Sequence, residues 1–271
     1  MTRKPLALPE VTLSEADGVR YLHLDTPWIQ GGMRIKKPQV VEIDYVQRML
    51  ASLLWLPTEA LGEGQAVQLG LGAGALTRFT TKQLRMATTV VEINPQVIDI
   101  NAAWFHLPEQ AEVVLGDAAD WLLQADCNSV RLLHVDLYDH EAAAPVLDDV
   151  DFYRACRAVL EDGGLMGVNL FGRHASFHDS IQRIAAAFGA DQVWSLRPTR
   201  EGNTVVVAGR AVVVPTREEL QARAAVIEKR FGSLNLPARK WLRMVRPYTP
   251  RPEFDSPSDS PPDSPLKTIH K

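Results

Sequence analysis

The sequence predicts an α/β fold built on a mostly parallel sheet. From residue 66 onward, short runs of aliphatic and β-branched residues alternate with stretches of helical spacing. This alternation is typical of a parallel sheet covered by helices. The last two runs lie too close together for a helical crossover, so we expect them to form an antiparallel hairpin at the end of the sheet.

The N-terminal segment predicts a small β-hairpin followed by a helix. Residues 11–13 and 19–24 are β-rich runs separated by a turn-forming segment. Apolar residues then recur at helical spacing over residues 39–56, and Pro57 ends the pattern. We therefore expect residues 1–60 to form a hairpin and a helix ahead of the main domain.

The main domain is predicted over residues 61–212 from seven short strands. A parallel sheet that closes with an antiparallel hairpin indicates a Rossmann-like domain of the methyltransferase type. The five runs expected to be parallel are residues 67–70, 86–92, 113–115, 130–136 and 165–170, and the closing hairpin spans residues 192–196 and 204–208.

The C-terminal part predicts a helical segment and then a disordered tail. Residues 213–247 contain a helix, expected over residues 216–231, that begins with a capping box formed by Thr216 and Glu219. Residues 248–271 are rich in proline, serine and aspartate. Such a composition lacks the apolar side chains needed to offset the entropy of ordering, so this tail is expected to be disordered.

The composition is that of an ordinary globular chain and excludes several classes of partner. Of the 271 residues, 46% are hydrophobic and 23% charged, and the formal net charge is −4. Nucleic acid is not expected as a partner, because binding phosphates needs a basic face. The sequence has neither a signal core nor an apolar run of about 18 residues, so we expect a cytoplasmic protein without a membrane partner. Cys127 and Cys156 are expected to be buried thiols, and no metal site is expected.

Three glycines and two acidic strand ends predict a nucleoside site. The glycines close the first apolar run of the main domain, and an acidic residue ends the next strand 18 positions later. Glycine allows close approach of the backbone to a ligand, and the carboxylate can bind both ribose hydroxyls. A tight turn without a ligand is the alternative for the glycines by themselves, and the missing Lys-Ser or Lys-Thr excludes a P-loop. The expected contacts are Gly70, Gly72, Gly74, Glu92, Asp117 and Ala118.

Two further carboxylates follow the fourth parallel strand. Asp136 ends that strand, and Asp139 lies three residues later. Both are expected at the edge of the sheet that carries the glycines, where they could bind an amine or accept a proton from it. The alternative is structural, with Asp139 capping the next turn and Asp136 binding loop amides.

The order of these motifs resembles the spermidine synthase family, the polyamine aminopropyltransferases, over roughly residues 10–210. In that family the donor is decarboxylated S-adenosylmethionine, a co-substrate rather than a tightly bound cofactor, and an amine displaces its aminopropyl group from sulfur. The resemblance implies that Glu92 holds the ribose, Asp117 the adenine amino group, and that Asp136 is the catalytic base. It places four residues on the side of the amine and the aminopropyl group: Gln30, Tyr45, Tyr138 and Asp139.

Three departures from the family pattern indicate a divergent member. Ala73 stands where the family carries an aspartate, Gln47 where it carries a glutamate, and Ala51 where it carries a histidine. The expected partners are a small-molecule amine and an adenosyl sulfonium donor, and the sequence leaves a homodimer open. Two alternatives remain, namely a methyltransferase using S-adenosylmethionine and a non-catalytic nucleoside-binding homologue.

Overall fold

A small antiparallel sheet forms the N-terminal part of the fold. The computed structural model describes residues 8–137, 147–171 and 175–250. The predicted hairpin is confirmed as β1 (Val11–Ala16) and β2 (Val19–Leu24), and a third strand, β3 (Gly31–Arg34), pairs with β2. β3 was not predicted because its Gly-Gly-Met-Arg sequence has no β-branched residue, so packing and not local propensity decides its conformation.

The helix that follows is shorter than predicted. α1 (Asp44–Met49) continues as a 3₁₀ helix over Leu50–Trp55, whereas residues 39–43 are not helical, so the prediction over residues 39–56 is wrong in its first part. The cause is a tertiary contact, since the backbone amide of Val41 donates to the carbonyl of Leu234 at 3.0 Å and Val41 is buried outside any helix.

The main sheet has eight strands in the order β11-β9-β10-β8-β7-β4-β5-β6. β4 to β8 pair in parallel, and β10 pairs antiparallel with both β8 and β9, which confirms the predicted sheet of the methyltransferase type. The strands are β4 (Gln65–Leu69), β5 (Ala87–Glu92), β6 (Glu112–Leu115), β7 (Val130–Val135), β8 (Leu160–Phe171), β9 (Val193–Ser195), β10 (Asn203–Gly209) and β11 (Arg246–Pro247).

Helices cover both faces of this sheet. One face packs on α1, α7 and α8, and the other on α4, α5 and α6, each through its own apolar cluster. The capping box at the start of α7 is confirmed, with Glu219 N donating to Thr216 Oγ1 at 3.2 Å. The helices are α2 (Ala75–Arg78, followed by a π-helical turn over Phe79–Leu84), α3 (Pro95–Trp104), α4 (Ala118–Gln124), α5 (Val150–Val159), α6 (Ala175–Phe188), α7 (Arg217–Phe231) and α8 (Ala238–Leu242).

Two sequence expectations on exposure have different outcomes. Cys156 is buried in α5 as expected, but Cys127 is exposed, so the prediction of a buried thiol is wrong there. Cys127 lies in the short connection between α4 and β7, where it has no core to pack against. Among the helices in the described ranges, none is long and apolar enough to cross a lipid bilayer.

A buried histidine lies in the centre of the sheet. His134 on β7 is fully buried, and neither ring nitrogen has a hydrogen-bond partner among the described residues. Its ring lies beside Gly167 of β8, its partner in the strand register, and a Cβ on Gly167 would be in ordinary contact with the ring at 3.5 Å. Burial lowers the pKa of His134 from 6.5 to about 4, because the charged imidazolium would be desolvated.

Acidification is therefore expected to destabilise the fold through His134. An imidazole with a depressed pKa contributes stability above the unfolded pKa of 6.5 and loses it as the pH falls towards about 4. The loss is up to about 3 kcal/mol, at 1.36 kcal/mol per pKa unit. Urea unfolding of wild type and His134→Leu at pH 7.5 and 4.5 measures it. His134→Leu should gain stability relative to wild type between pH 7.5 and pH 4.5, because leucine has no proton to bind. A constant difference for His134→Leu would contradict the assignment.

Candidate active site

The glycine loop connects β4 to α2 in a conformation that favours glycine. Gly70, Gly72 and Gly74 have φ angles of 95°, 51° and 65°, in the region that L side chains rarely adopt. A Cβ on Gly70 would overlap the backbone carbonyl oxygen of Asp136, and one on Gly74 would lie 2.7 Å from Asn101 Oδ1. The loop therefore lies directly against the end of β7 and the start of the helical layer.

The Glu92 carboxylate, at the end of β5, holds this loop in place. Its Oε2 accepts from the amide of Leu71 at 2.9 Å, and its Oε1 accepts from the amide of Asn94 at 2.9 Å. Burial raises the pKa of Glu92, and the backbone hydrogen bonds oppose that rise. A carboxylate has about four acceptor positions. Glu92 can therefore hold the loop and still accept hydrogen bonds from ligand hydroxyls.

The carbonyl side of the loop has two supports that sequence reasoning missed. Asn101 Nδ2 donates to the carbonyl of Gly72 at 2.7 Å, and Arg78 donates to the carbonyls of Ala73 and Phe105, each at 2.7 Å. Burial lowers the pKa of Arg78 to about 10, which leaves it cationic at neutral pH. The sequence signal that could have identified them is a polar residue among the apolar positions of a helix, namely Arg78 on α2 and Asn101 on α3.

Asp117 caps the helix after β6. Its Oδ1 accepts from the backbone amides of Ala119 at 2.8 Å and Asp120 at 3.2 Å, and the neighbouring Ala118 is buried. The glycine loop, Glu92 and Asp117 thus all follow the carboxyl ends of adjacent parallel strands. This is the edge of an open α/β sheet at which ligands bind.

The N-terminal sheet meets the glycine loop at Gly31. A Cβ on Gly31 would lie 2.6 Å from the Cβ of Ala73, so the two segments are in close contact. The neighbouring Gln30 carbonyl accepts from the Tyr45 hydroxyl at 3.3 Å. It also lies 3.4 Å from the position of a Cβ on Gly72. Gln30 and Tyr45 therefore lie beside the loop.

Asp136 directly follows β7 and lies between the glycine loop and Tyr45. Its backbone amide donates to the carbonyl of Leu69 at 2.9 Å. Its half-buried carboxylate accepts from Asn169 Nδ2 at 2.9 Å and is hydrogen-bonded by Tyr45. Burial raises the pKa of Asp136, and these two hydrogen bonds oppose the rise. Within residues 8–137, 147–171 and 175–250, no lysine or arginine forms an ion pair with Asp136.

The positions that depart from the family pattern are used for packing. Ala73 and Ala51 are buried in apolar clusters, and Gln47 Nε2 donates to the carbonyl of Val41 at 2.9 Å. Tyr138 and Asp139 lie outside the described residues, so their predicted roles stay predictions. No group of three or more histidine, cysteine or acidic residues in the described ranges is arranged to hold a metal ion.

The fold and the site define a Rossmann-like protein of the methyltransferase type, with acidic strand ends around a glycine loop. A polyamine aminopropyltransferase from Chromobacterium violaceum is 33% identical over 231 residues, covering 83% of this chain and 86% of that protein. The chain therefore belongs to the polyamine aminopropyltransferase family, which includes the spermidine synthases. No model of a known protein family matches the chain.

Two solved structures share the fold. A probable spermidine synthase from Corynebacterium glutamicum matches with a TM-score of 0.68 and 18% identity, covering 80% of this chain and 83% of that chain. Human methyltransferase-like protein 13 in complex with SAH matches with a TM-score of 0.61 and 18% identity, covering 79% of this chain and 98% of that chain. At this identity the two matches establish the fold.

Alanine substitutions should separate the two kinds of glycine in the loop. Gly72→Ala meets nothing closer than 3.4 Å, so the expected loss is only the left-handed strain of about 1–2 kcal/mol. Gly70→Ala adds overlap with the Asp136 carbonyl and should lose at least about 1 kcal/mol more. Urea unfolding of both variants measures the difference, and equal losses would contradict the close approach at Gly70.

Proposed function

We propose that the protein transfers an aminopropyl group from decarboxylated S-adenosylmethionine to a small amine. The observation that carries the proposal is the half-buried Asp136 carboxylate, which accepts hydrogen bonds and has no cationic partner among the described residues. Such a group attracts a substrate cation and can accept its proton. Family membership supports the reaction class.

The proposed chemistry requires one proton acceptor. An amine is protonated at neutral pH and cannot attack until a nitrogen loses its proton. Asp136 takes that proton, and the freed lone pair forms a bond to the propyl carbon of the donor. The carbon–sulfur bond breaks as its electron pair moves to sulfur, which leaves a neutral thioether. The leaving group needs no acid, because the positive sulfur accepts the electron pair.

The proposed donor pocket follows from the sheet edge. The glycine loop would lie under the adenosine, with Glu92 on the ribose hydroxyls and Asp117 on the adenine amino group. Asp117 uses one oxygen to cap α4, which leaves the other for a ligand. Gln30 and Tyr45 would line the side of the aminopropyl group and the amine, and the proposal extends to Tyr138 and Asp139 there.

One observation favours a second candidate, a methyltransferase that uses ordinary S-adenosylmethionine. Ala73 provides no carboxylate where the family carries one, and its contact with Gly31 leaves little room for a larger side chain. The fold match to a methyltransferase-like protein is compatible with this reading. Calorimetric titration with both donors separates the candidates, because the carboxylate of the ordinary donor would be repelled by an ionised Asp136 near its tail.

Glu92→Ala is expected to weaken binding of methylthioadenosine by about 1–3 kcal/mol, because the ribose hydroxyls lose a charged acceptor. Since Glu92 also holds the loop, the direct contact is isolated with a second ligand, 2′,3′-dideoxy-methylthioadenosine, by calorimetry. Wild type should prefer the hydroxylated ligand, and Glu92→Ala should lose that preference. The matched control is Glu112→Gln at the opposite end of the neighbouring strand, where the carboxylate binds Thr89 and the preference should persist. A preference that survives in Glu92→Ala removes Glu92 from the ribose site.

Asp136→Asn should lower turnover by about 10²–10⁴-fold, because the amide keeps the shape but cannot accept a proton. Nucleoside affinity should hardly change. The variant should also be more stable than wild type at neutral pH, since a carboxylate with a raised pKa destabilises the fold when ionised. That gain should disappear below the usual pKa of aspartate, where both proteins are uncharged at this position.

The assay follows methylthioadenosine release with decarboxylated S-adenosylmethionine and putrescine, cadaverine, agmatine or spermidine. Asp162→Asn is the control, because this exposed acid lies near the start of β8, at the opposite end of the sheet from Asp136. It should leave turnover unchanged. If wild type binds nucleoside but releases no thioether with any of these amines, the proposed reaction is wrong and the methyltransferase or binding role becomes the better reading.

A further inference from the structure

Two asparagines connect Asp136 to the antiparallel part of the sheet. Asn169 of β8 donates from Nδ2 to Asp136 Oδ1 at 2.9 Å. Asn203, at the start of β10, donates from Nδ2 to Asn169 Oδ1 at 3.2 Å. Val205 is the register partner of Asn169, so Asn203 is its diagonal neighbour on the same face of the sheet. One side chain directly after β7 and two on the adjacent strands β8 and β10 thus form one hydrogen-bonded row.

All hydrogen bonds of the row are donated towards Asp136, because its carboxylate is the acceptor at one end. An ionised Asp136 only accepts hydrogen bonds, so Asn169 must turn its NH₂ group towards it. The amide oxygen of Asn169 then faces Asn203, which must donate. If Asn203 could not donate, this largely buried oxygen would lose a partner, and the orientation of Asn169 that serves the carboxylate would lose stabilisation.

The backbone of Asn203 is hydrogen-bonded to Thr199 on both its amide and its carbonyl side. Its amide donates to Thr199 Oγ1 at 3.2 Å, and its carbonyl accepts from the amide of Thr199 at 2.7 Å. These two bonds close the turn that precedes β10. The backbone that carries the Asn203 side chain is therefore held in place by two hydrogen bonds to Thr199.

We propose that Asn203 is a positioning residue that, through Asn169, favours the ionised form of the Asp136 carboxylate and fixes the hydrogen bond that Asn169 donates to it. This inference rests on the proposed function only in assigning Asp136 to proton transfer, since the hydrogen-bonded row exists without a substrate. Asn203 does not touch the reacting atoms. Its role is to fix which end of the Asn169 amide faces the acid.

Among the residues that the structure describes, the ionisable groups of α1 and His134 of β7 do not replace this effect. On α1, Asp44 and Arg48 form an ion pair with a shortest distance of 2.6 Å, so together they are neutral. Tyr45 is the remaining hydrogen-bond partner from that helix. His134, on the same strand, is uncharged at neutral pH because burial lowers its pKa to about 4.

The test is a carbon-13 NMR titration of the full-length protein labelled at the aspartate carboxyl carbons. The Asp136 signal is identified by its absence in Asp136→Asn. Asn169→Leu should tighten proton binding at Asp136 about tenfold, the usual scale for a hydrogen bond to a charged group. Asn203→Leu should act in the same direction by a smaller factor, about threefold, because it acts through Asn169. In an Asn169→Leu background, Asn203→Leu should add nothing.

Two further variants keep the test decisive. Asn203→Asp has the size of asparagine but places an acceptor and a negative charge where the donor stood, so it should also tighten proton binding at Asp136 even if the leucine variant does not fold. Its effect should be smaller in an Asn169→Leu background, where only the charge repulsion remains. Thr204→Val is the control, since Thr204 is buried on β10 and points to the opposite face; it should leave the titration unchanged.

The inference is overturned if Asn203→Leu and Asn203→Asp leave the titration of Asp136 unchanged, or if the Asn203→Leu effect persists in the Asn169→Leu background. The titration needs no turnover, so it separates this inference from the proposed reaction. If the protein is active, the acidic limb of its kcat/KM profile should move to higher pH in the same variants. Shifted titrations without turnover would support the row and reject the reaction.

Discussion

The close approach of backbone segments around the glycine loop is the constraint on which the site depends. Gly31 lies against Ala73 and Gly70 lies against the carbonyl of Asp136, at distances that a side chain at either glycine would not allow. These contacts bring the N-terminal sheet, β4 and β7 to one point. Gln30, Tyr45 and Asp136 are neighbours at this point, because the Tyr45 side chain is hydrogen-bonded to both the Gln30 carbonyl and the Asp136 carboxylate.

Two desolvated carboxylates at this point have different partners. Glu92 and Asp136 both have raised pKa values because burial disfavours their charge. Glu92 is bound by backbone amides and belongs to the frame of the site. Asp136 is instead hydrogen-bonded by the side chains of Asn169 and Tyr45, and it is the residue to which we assign proton transfer in the proposed reaction. Both carboxylates are desolvated by burial. Glu92 offsets this with hydrogen bonds that hold the glycine loop, whereas the desolvation of Asp136 supports its proposed role as a proton acceptor.

The departures from the family pattern make the described site less charged. At the positions where the family carries polar contacts, Ala73 and Ala51 of this chain are buried in the core. Gln47 donates a hydrogen bond to the carbonyl of Val41, just before α1. Asp136 is then the principal charge facing the predicted amine side among the described residues.

The sequence by itself determined the parallel sheet, its antiparallel end, the hairpin β1–β2 and the capping box of α7, because these follow from local periodicity and turn chemistry. It also placed Glu92, Asp117 and Asp136 at the ends of β5, β6 and β7. It did not predict β3, the shortened α1 or the row from Asp136 to Asn203. Only the tertiary structure decided these, because each depends on contacts between segments far apart in the chain, and such contacts leave no period in the sequence.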